Sequence, residues 1–382
     1  MQIKILGSTK PEYKLSKEEA INFAGKSAGI CYLPDTIEEL FNEPEEKTIK
    51  RANMTLLSGH HSVYDHPSYN LALIEVPKII AMILNNEGMY TTSEKSARYT
   101  KMKVSDKEEE LYNKWIEIFK EQINKEYPNI KENRVKKLAQ ENARCLISIF
   151  SPSTTMEYTT SLRQINYIAN FFENYIKYEE NNDFNNLLKP YLKEFVDRIS
   201  NLRIPELNAD VKERKIALFD ERENRKEEFG ENYCTTYFAS FSQFAQAQRH
   251  RTINYKIRLL DTPKYYIPDI IKGTCLEEEW IKDMKELEYR FPQGMLVKVN
   301  ERGTAENFIL KCQERLCGAA QLEIMLQTKR TLDKYIENTK ESNKEVYEYL
   351  QKYSCGARCK FPNFKCTAPC IWGPNGAMTR KI

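Results

Sequence analysis

The chain has 382 residues, with 58 Lys and Arg against 55 Asp and Glu for a formal net charge of +3. It therefore carries no broad field to steer it onto nucleic acid or an anionic membrane, and any basic site must be local. The length suits about two domains with a real core. The most apolar run, residues 71–84, is broken by Glu75, Pro77 and Lys78 and cannot span a bilayer, and Met1-Gln2-Ile3-Lys4-Ile5 lacks a signal-peptide pattern, so a cytoplasmic location is expected.

In chain order, Ile3-Lys4-Ile5-Leu6 reads as a short strand, residues 17–26 as a helix, and residues 35–42 and 46–58 as helices with acidic starts. Three of the four histidines then fall in Gly59-His60-His61-Ser62-Val63-Tyr64-Asp65-His66, followed by Tyr69, Leu71, Leu73 and Glu75 alternating as in a strand. No H-E-x-x-H helix or cysteine accompanies these histidines, so they do not read as a zinc site. Beyond Glu94-Lys95-Ser96-Ala97-Arg98-Tyr99, residues 106–125, 133–149, 155–178 and 185–201 carry apolar residues at helical spacing, and the polar stretch 203–215 reads as a linker. The order then recurs: an aromatic strand-like run at 237–244, a helix around 276–289, Pro292-Gln293-Gly294, and one long helix over 304–327. This parallel predicts two diverged copies of one domain.

Two stretches suggest chemistry. Gln246-Ala247-Gln248-Arg249-His250-Arg251 puts two guanidinium forks and an imidazole beside amide groups, a composition suited to phosphate or to the polar edge of a flavin or pyrimidine. The bland alternative is a solvated basic face. Near the C-terminus, Cys355, Cys359, Cys366 and Cys370 have C-x3-C-x6-C-x3-C spacing among Gly and Pro, as in a small knuckle holding zinc or an iron-sulfur cluster. The other reading is a reduced tail, and the remaining cysteines read as buried structural thiols.

These residues carry a resemblance to the flavin-dependent thymidylate synthases, the ThyX family, whose signature is R-H-R-x-x-S-x-x-x-x-S-x-R-Y. The resemblance splits the signature between two stretches. Gln246 and Arg249-His250-Arg251 match its start, but Leu259, Asp261 and Thr262 stand where its end belongs; Glu94, Ser96, Arg98 and Tyr99 match E-x-S-x-R-Y, but Asn86-Glu87-Gly88 stands where R-H-R belongs. Residues 59–66 resemble the family's H-x-[ST]-x-x-E-H element with Asp65 for glutamate. Ala143-Arg144 resembles its pre-Leu-Pro arginine with Ile147-Ser148 for Leu-Pro, and Ser161-Leu162-Arg163 its N-x-R. Phe291-Pro292-Gln293-Gly294 resembles its Leu-Pro stretch, and Arg315-Leu316-Cys317-Gly318-Ala319-Ala320-Gln321-Leu322-Glu323-Ile324 its R-L-C-x-x-A-Q-W-E-I helix. Arg163 alternatively reads as a helix-surface arginine paired with Glu157 or Asn166.

The resemblance implies an α+β fold of two ThyX-like domains, each a mixed or antiparallel sheet with packed helices. These span 1–202 (nucleotide-binding half) and 203–350 (flavin-binding half), with a Cys-rich tail at 351–382. It implies reductive methylation of dUMP to dTMP with FAD as cofactor and NADPH and methylenetetrahydrofolate as co-substrates. FAD would lie against His60, Ser62, Arg249, His250 and Arg251. Gln246, Glu94, Ser96, Arg98, Arg144 and Arg315 would hold the nucleotide, with Ser96, Arg98 and Arg315 closest to the chemistry. Because each half keeps a complementary set, one complete site and one flavin per chain are expected, formed within the chain, in a homodimer that mimics the family's tetramer, with no membrane or nucleic-acid partner. The alternatives are a methylase of another pyrimidine nucleotide and a non-catalytic nucleotide- or RNA-binding relative.

Overall fold

The computed structural model describes residues 1–8, 15–30, 37–95, 104–152, 154–207, 215–220, 226–367 and 370–382. Its elements, in order, are β1 (Gln2–Ser8), α1 (Lys17–Gly29), α2 (Ile37–Phe41), α3 (Glu45–Leu57), β2 (Ser68–Val76), α4 (Lys78–Leu84), β3 (Tyr90–Glu94), α5 (Asp106–Glu126), α6 (Glu132–Ala143), β4 (Thr154–Ser161), α7 (Leu162–Tyr178), α8 (Asp183–Arg198), β5 (Glu228–Phe229), β6 (Asn232–Ser240), α9 (Phe241–Ala247), β7 (Asn254–Leu259), α10 (Cys275–Glu286), β8 (Leu296–Thr304), α11 (Ala305–Arg315), α12 (Leu322–Thr339), α13 (Lys344–Gln351) and α14 (Gly373–Gly376). No described helix is long and apolar enough to cross a membrane.

Two expected helices divide where local chemistry demands it. Thr154-Thr155-Met156-Glu157-Tyr158-Thr159-Thr160-Ser161 is strand β4, because a run of β-branched and aromatic residues packs better on a pleated surface. Ser161 then caps α7, its side chain accepting from Gln164 N at 3.1 Å. The long helix expected over 304–327 stops at Arg315, and α12 restarts at Leu322 after the irregular segment 316–321. In β2 the alternation holds through Leu73. A register shift between Leu73 and Val76, with Glu75 at φ 56°, then turns Glu75 outward and Val76 inward.

The chain forms two compact units, Met1–Lys95 with Pro152–Ala217, and Ser96–Ser151 with Leu218–Ile382. These differ from the expected divisions at 202 and 350, since 96–151 groups with the later part of the chain and 351–382 belongs to the same unit. The first unit holds a four-stranded antiparallel sheet of order β1-β2-β4-β3. Its helix α4 is buried from Ile79 to Leu84, and α7 and α8 pack through Phe172 and Phe195, whose centroids are 5.2 Å apart.

The second unit holds an antiparallel sheet of order β5-β6-β8-β7, the same order strand for strand, and repeats the helix between second and third strands with α9 in the place of α4. Its regrouping with 96–151 has an apolar cause. Trp115 and Phe119 of α5 meet Trp280 of α10 edge-on at 4.8 and 5.5 Å, and Trp115 Nε1 donates to buried Asp283 at 2.7 Å while Lys114 pairs with the same carboxylate at 2.6 Å. Downstream, residues 145–149 run antiparallel to 291–294: Gly294 N donates to Cys145 O at 2.7 Å, Gln293 N to Ile147 O at 2.8 Å and Ile149 N to Phe291 O at 3.0 Å, around a Ser148–Pro292 bridge. The two stretches that resemble the Leu-Pro element thus pair with each other.

Candidate functional site

In the second unit, β6 runs directly into α9, capped by Ser240, whose Oγ accepts from Gln243 N at 3.0 Å. The basic triplet follows the last turn of α9: His250 N donates to Ala247 O at 3.0 Å, which closes the turn and points Arg249 and Arg251 outward, both exposed. His250 is turned inward. Arg315, the last residue of α11, donates from Nε to His250 Nε2 at 2.8 Å and from Nη2 to Gln246 O at 3.1 Å. Burial first, then the Arg315 charge, holds the imidazole down at about 2, so His250 is neutral. With Nε2 accepting, Nδ1 carries its proton.

Gln321 gathers the rest. Its Oε1 accepts from Arg144 Nη2 at 2.6 Å, from Ser242 Oγ at 3.3 Å and from Gln246 Nε2. Arg144 also donates to Glu141 O at 3.2 Å, and both Arg144 and Gln321 are buried. Gln321 Nε2, Gln246 Oε1 and both amide atoms of buried Gln248 have no hydrogen-bond partner among the described residues. Buried polar atoms are rarely left so without a ligand or water to meet them. Two residues on, Glu323 accepts from Ser240 N at 2.8 Å and Ser240 Oγ at 2.6 Å, yet burial pushes its carboxyl up to about 7.

The structure thus brings together Arg144, Gln246, His250 and Arg315, four of the residues singled out in the sequence, although Arg144 lies 102 to 171 positions before the others in the chain. The roles of Gln321, Ser242, Gln248 and Glu323 went unread. Gln321 and Glu323 sit inside the 315–324 stretch and Gln248 inside the basic one, but nothing in the sequence says which amide meets which cation.

The other sequence candidates lie elsewhere or outside the described residues. Ser96 and Arg98 fall outside them. Glu94, in the first unit, accepts from Lys78 Nζ and from Thr154 Oγ1 at 3.2 Å. His60 and Ser62 are exposed on the 3-10 turn spanning residues 61–65 or its edge, while His61 is buried against Leu56 O at 3.0 Å. Arg163 pairs neither with Glu157 nor with Asn166. Its Nη1 meets Asp65 Oδ2 at 2.7 Å and its Nε donates to Tyr167 OH at 3.0 Å, while Ser161 Oγ donates to Asp65 Oδ1 at 2.8 Å, so the two first-unit motif segments join.

The metal knuckle is corrected. Among the described residues, no group of three or more His, Cys, Asp or Glu side chains could hold a metal ion. Cys355 Sγ instead faces Lys360 O at 3.1 Å, and Cys370 Sγ lies where a Cβ on Gly318 would come within 2.6 Å. The reason is that the tail is held by other contacts: Arg358 N donates to Leu316 O at 2.6 Å, buried Arg380 donates to Ala320 O at 2.7 Å, and Phe361 and Ile382 enter the cores. The tail therefore fixes the loop 316–320 that precedes Gln321.

Comparison with known proteins finds similarity to one family over the first part of the chain. A family model described as "Thymidylate synthase complementing protein" matches residues 14–197. A flavin-dependent thymidylate synthase of Clostridium tetani (strain Massachusetts / E88) is 32% identical over 92 residues, 24% of this chain and 36% of its own length, so the chain spans about a third of that curated relative. Two solved structures of thymidylate synthase ThyX from Helicobacter pylori, both with FAD and dUMP, are 12% and 14% identical. They cover 54% and 53% of this chain and 95% and 100% of theirs, with TM-scores of 0.32 and 0.30, too low to carry an argument about the fold.

Proposed function

We propose that this chain, which the family model matches over residues 14–197, is a flavin-dependent enzyme of the ThyX family that methylates a pyrimidine nucleotide, converting dUMP to dTMP with methylenetetrahydrofolate as carbon donor and NADPH as reductant. The observation that carries the reading is the meeting of Arg144, Gln246, His250 and Arg315 in one unit, joined through Gln321 and Gln246, residues from three separate resembling stretches. The identical strand order of the two sheets and the pairing of residues 145–149 with 291–294 support a duplicated domain, as expected if two copies of a self-associating unit became one chain.

The residues present fit FAD. Arg249 and Arg251 are exposed cations flanking a neutral His250, and the buried Gln248 amide offers a donor and an acceptor that nothing in the described residues occupies. Bound flavin supplies the hydride chemistry. The chain's part is to bind and orient. Arg315, held by His250 and Gln246 O, is a fixed cation suited to the negative charge that develops on uracil oxygens as C5 becomes nucleophilic, and it needs no reorganisation to act. Because His250 stays neutral, it serves as an acceptor toward Arg315 and a donor from Nδ1 rather than as a second positive charge. The resemblance further assigns nucleotide contacts to Glu94, Ser96 and Arg98 and flavin contacts to His60 and Ser62.

The protein as purified is expected to carry the absorption band of oxidised flavin at one flavin per chain, in a dimer of chains. Arg249→Ala and Arg251→Ala should each weaken flavin retention about 10- to 150-fold, the loss of one charge-assisted contact. Arg98→Ala and Arg144→Ala should keep the flavin and lose dUMP affinity. A colourless wild-type protein that takes up no added FAD would refute the proposal, and unchanged flavin content in both arginine variants would refute the cofactor assignment.

A further inference from the structure

We infer that Gln321 and Gln246 together read the base edge of the nucleotide, selecting the carbonyl and N–H edge of uracil over the amino edge of cytosine. The inference rests on the pyrimidine-nucleotide reading above. It begins with Arg144. A guanidinium only donates hydrogen bonds, so the atom of Gln321 that meets Arg144 Nη2 at 2.6 Å must be the amide oxygen, and the amide cannot be turned over without setting donor against donor. Ser242 Oγ, at 3.3 Å from the same oxygen, agrees with that orientation. Fixing Gln321 fixes its neighbour. The amide of Gln246 meets Gln321 Oε1 and must present its own nitrogen there, which leaves its oxygen as the remaining acceptor.

The outcome is one leftover donor, Gln321 Nε2, and one leftover acceptor, Gln246 Oε1, on two amides joined to each other. Both atoms are buried and have no partner among the described residues, and Gln321 itself is 1% exposed. A donor and an acceptor side by side complement a group that presents an acceptor and a donor side by side. The O4 and N3–H of uracil do so, whereas the N4 amino group and N3 of cytosine present the reverse order. An isolated glutamine turns over to suit either base, but this pair is locked at one end by a cation with no acceptor atom. Arg144 acts here as a positioning residue, setting the sense of the edge through Gln321, and the tail holds the preceding loop through the bond from Arg380 to Ala320 O.

The test is the dissociation constant of dUMP and of dCMP, measured calorimetrically with the full chain as purified, for the wild type and for Gln321→Glu. The glutamate keeps an acceptor for Arg144, Ser242 and Gln246 and replaces only the free donor with an acceptor. The wild type should prefer dUMP by about 10- to 100-fold, and Gln321→Glu should bring the two nucleotides within about threefold. A merely structural role would weaken both nucleotides together and leave their ratio unchanged. If the glutamate variant does not fold, Gln321→Met, which removes both amide atoms, is read by the same ratio. Equal binding of dUMP and dCMP by the wild type, as expected if an ordered water occupies both free atoms, overturns the inference and leaves the pyrimidine reading intact. A preference that survives in the variant overturns it too. Failure of the wild type to bind either nucleotide overturns the pyrimidine reading and the inference together.

Discussion

Two groups beside the site titrate in opposite senses, and acidification from pH 7 to pH 5 should expose both. His250 has its ordinary value of 6.5 in the unfolded chain and about 2 in the folded one. Between those values the unfolded chain binds more protons, so stability falls as pH falls. At pH 5 the loss is about 2 kcal/mol, and any folded value below 4 gives nearly the same result. Glu323 behaves oppositely. Its carboxyl, raised to about 7 in the fold from 4.5, takes up a proton in the native state first, so stability rises as pH falls from 7 toward 4.5, again by about 2 kcal/mol at pH 5. In the wild type the two contributions cancel. His250→Asn should therefore gain about 2 kcal/mol relative to wild type on going from pH 7 to pH 5, and Glu323→Gln, which mimics the protonated acid, should lose about as much. Urea unfolding followed by tryptophan fluorescence is the assay, since Trp115, Trp280 and Trp372 all lie in the second unit and report it alone. If both variants follow the wild-type pH dependence within about 0.5 kcal/mol, neither group titrates as argued.

The remaining predictions use the same unit. Lys311 and Glu301 form an ion pair whose side chains are 1% and 0% exposed, with Tyr233 OH also donating to Glu301 at 2.6 Å. Lys311→Met should cost about 3–5 kcal/mol by stranding the carboxylate, while Lys311→Met with Glu301→Gln should recover most of it; equal urea midpoints for the single and double variants would contradict this. Gly294→Ala would bring a Cβ within 2.4 Å of Met284 Cε and 2.9 Å of Cys145 Cβ, and although the methionine can swing away, Cys145 sits beside a backbone pairing that cannot. A loss of about 1–3 kcal/mol is expected, seen as a lower thermal midpoint.

The sequence by itself determined what local chemistry determines. The 3.6-residue spacing of Leu111, Trp115 and Phe119 made α5 legible to within a residue, the alternation of Tyr69, Leu71 and Leu73 marked β2, and the recurring order of elements anticipated two sheets of one strand order. The clustered Arg249, His250 and Arg251 and the 315–324 stretch meet in the structure through the bond from Arg315 to His250. Period and propensity failed at 154–161, where β-branched residues lead straight into a helix, and at 316–321, where the helical pattern bridges a break held open by tail contacts. The resemblance groups Arg144 with Gln246 and Arg315, but only the tertiary structure shows how they meet, because the place of Arg144 depends on Trp115 and Phe119 packing against Trp280, a contact between segments more than 150 residues apart. Only it decided, too, that one arginine fixes two glutamine amides: a sequence records which polar groups exist, whereas which donor meets which acceptor is set by the side chains that burial forces together.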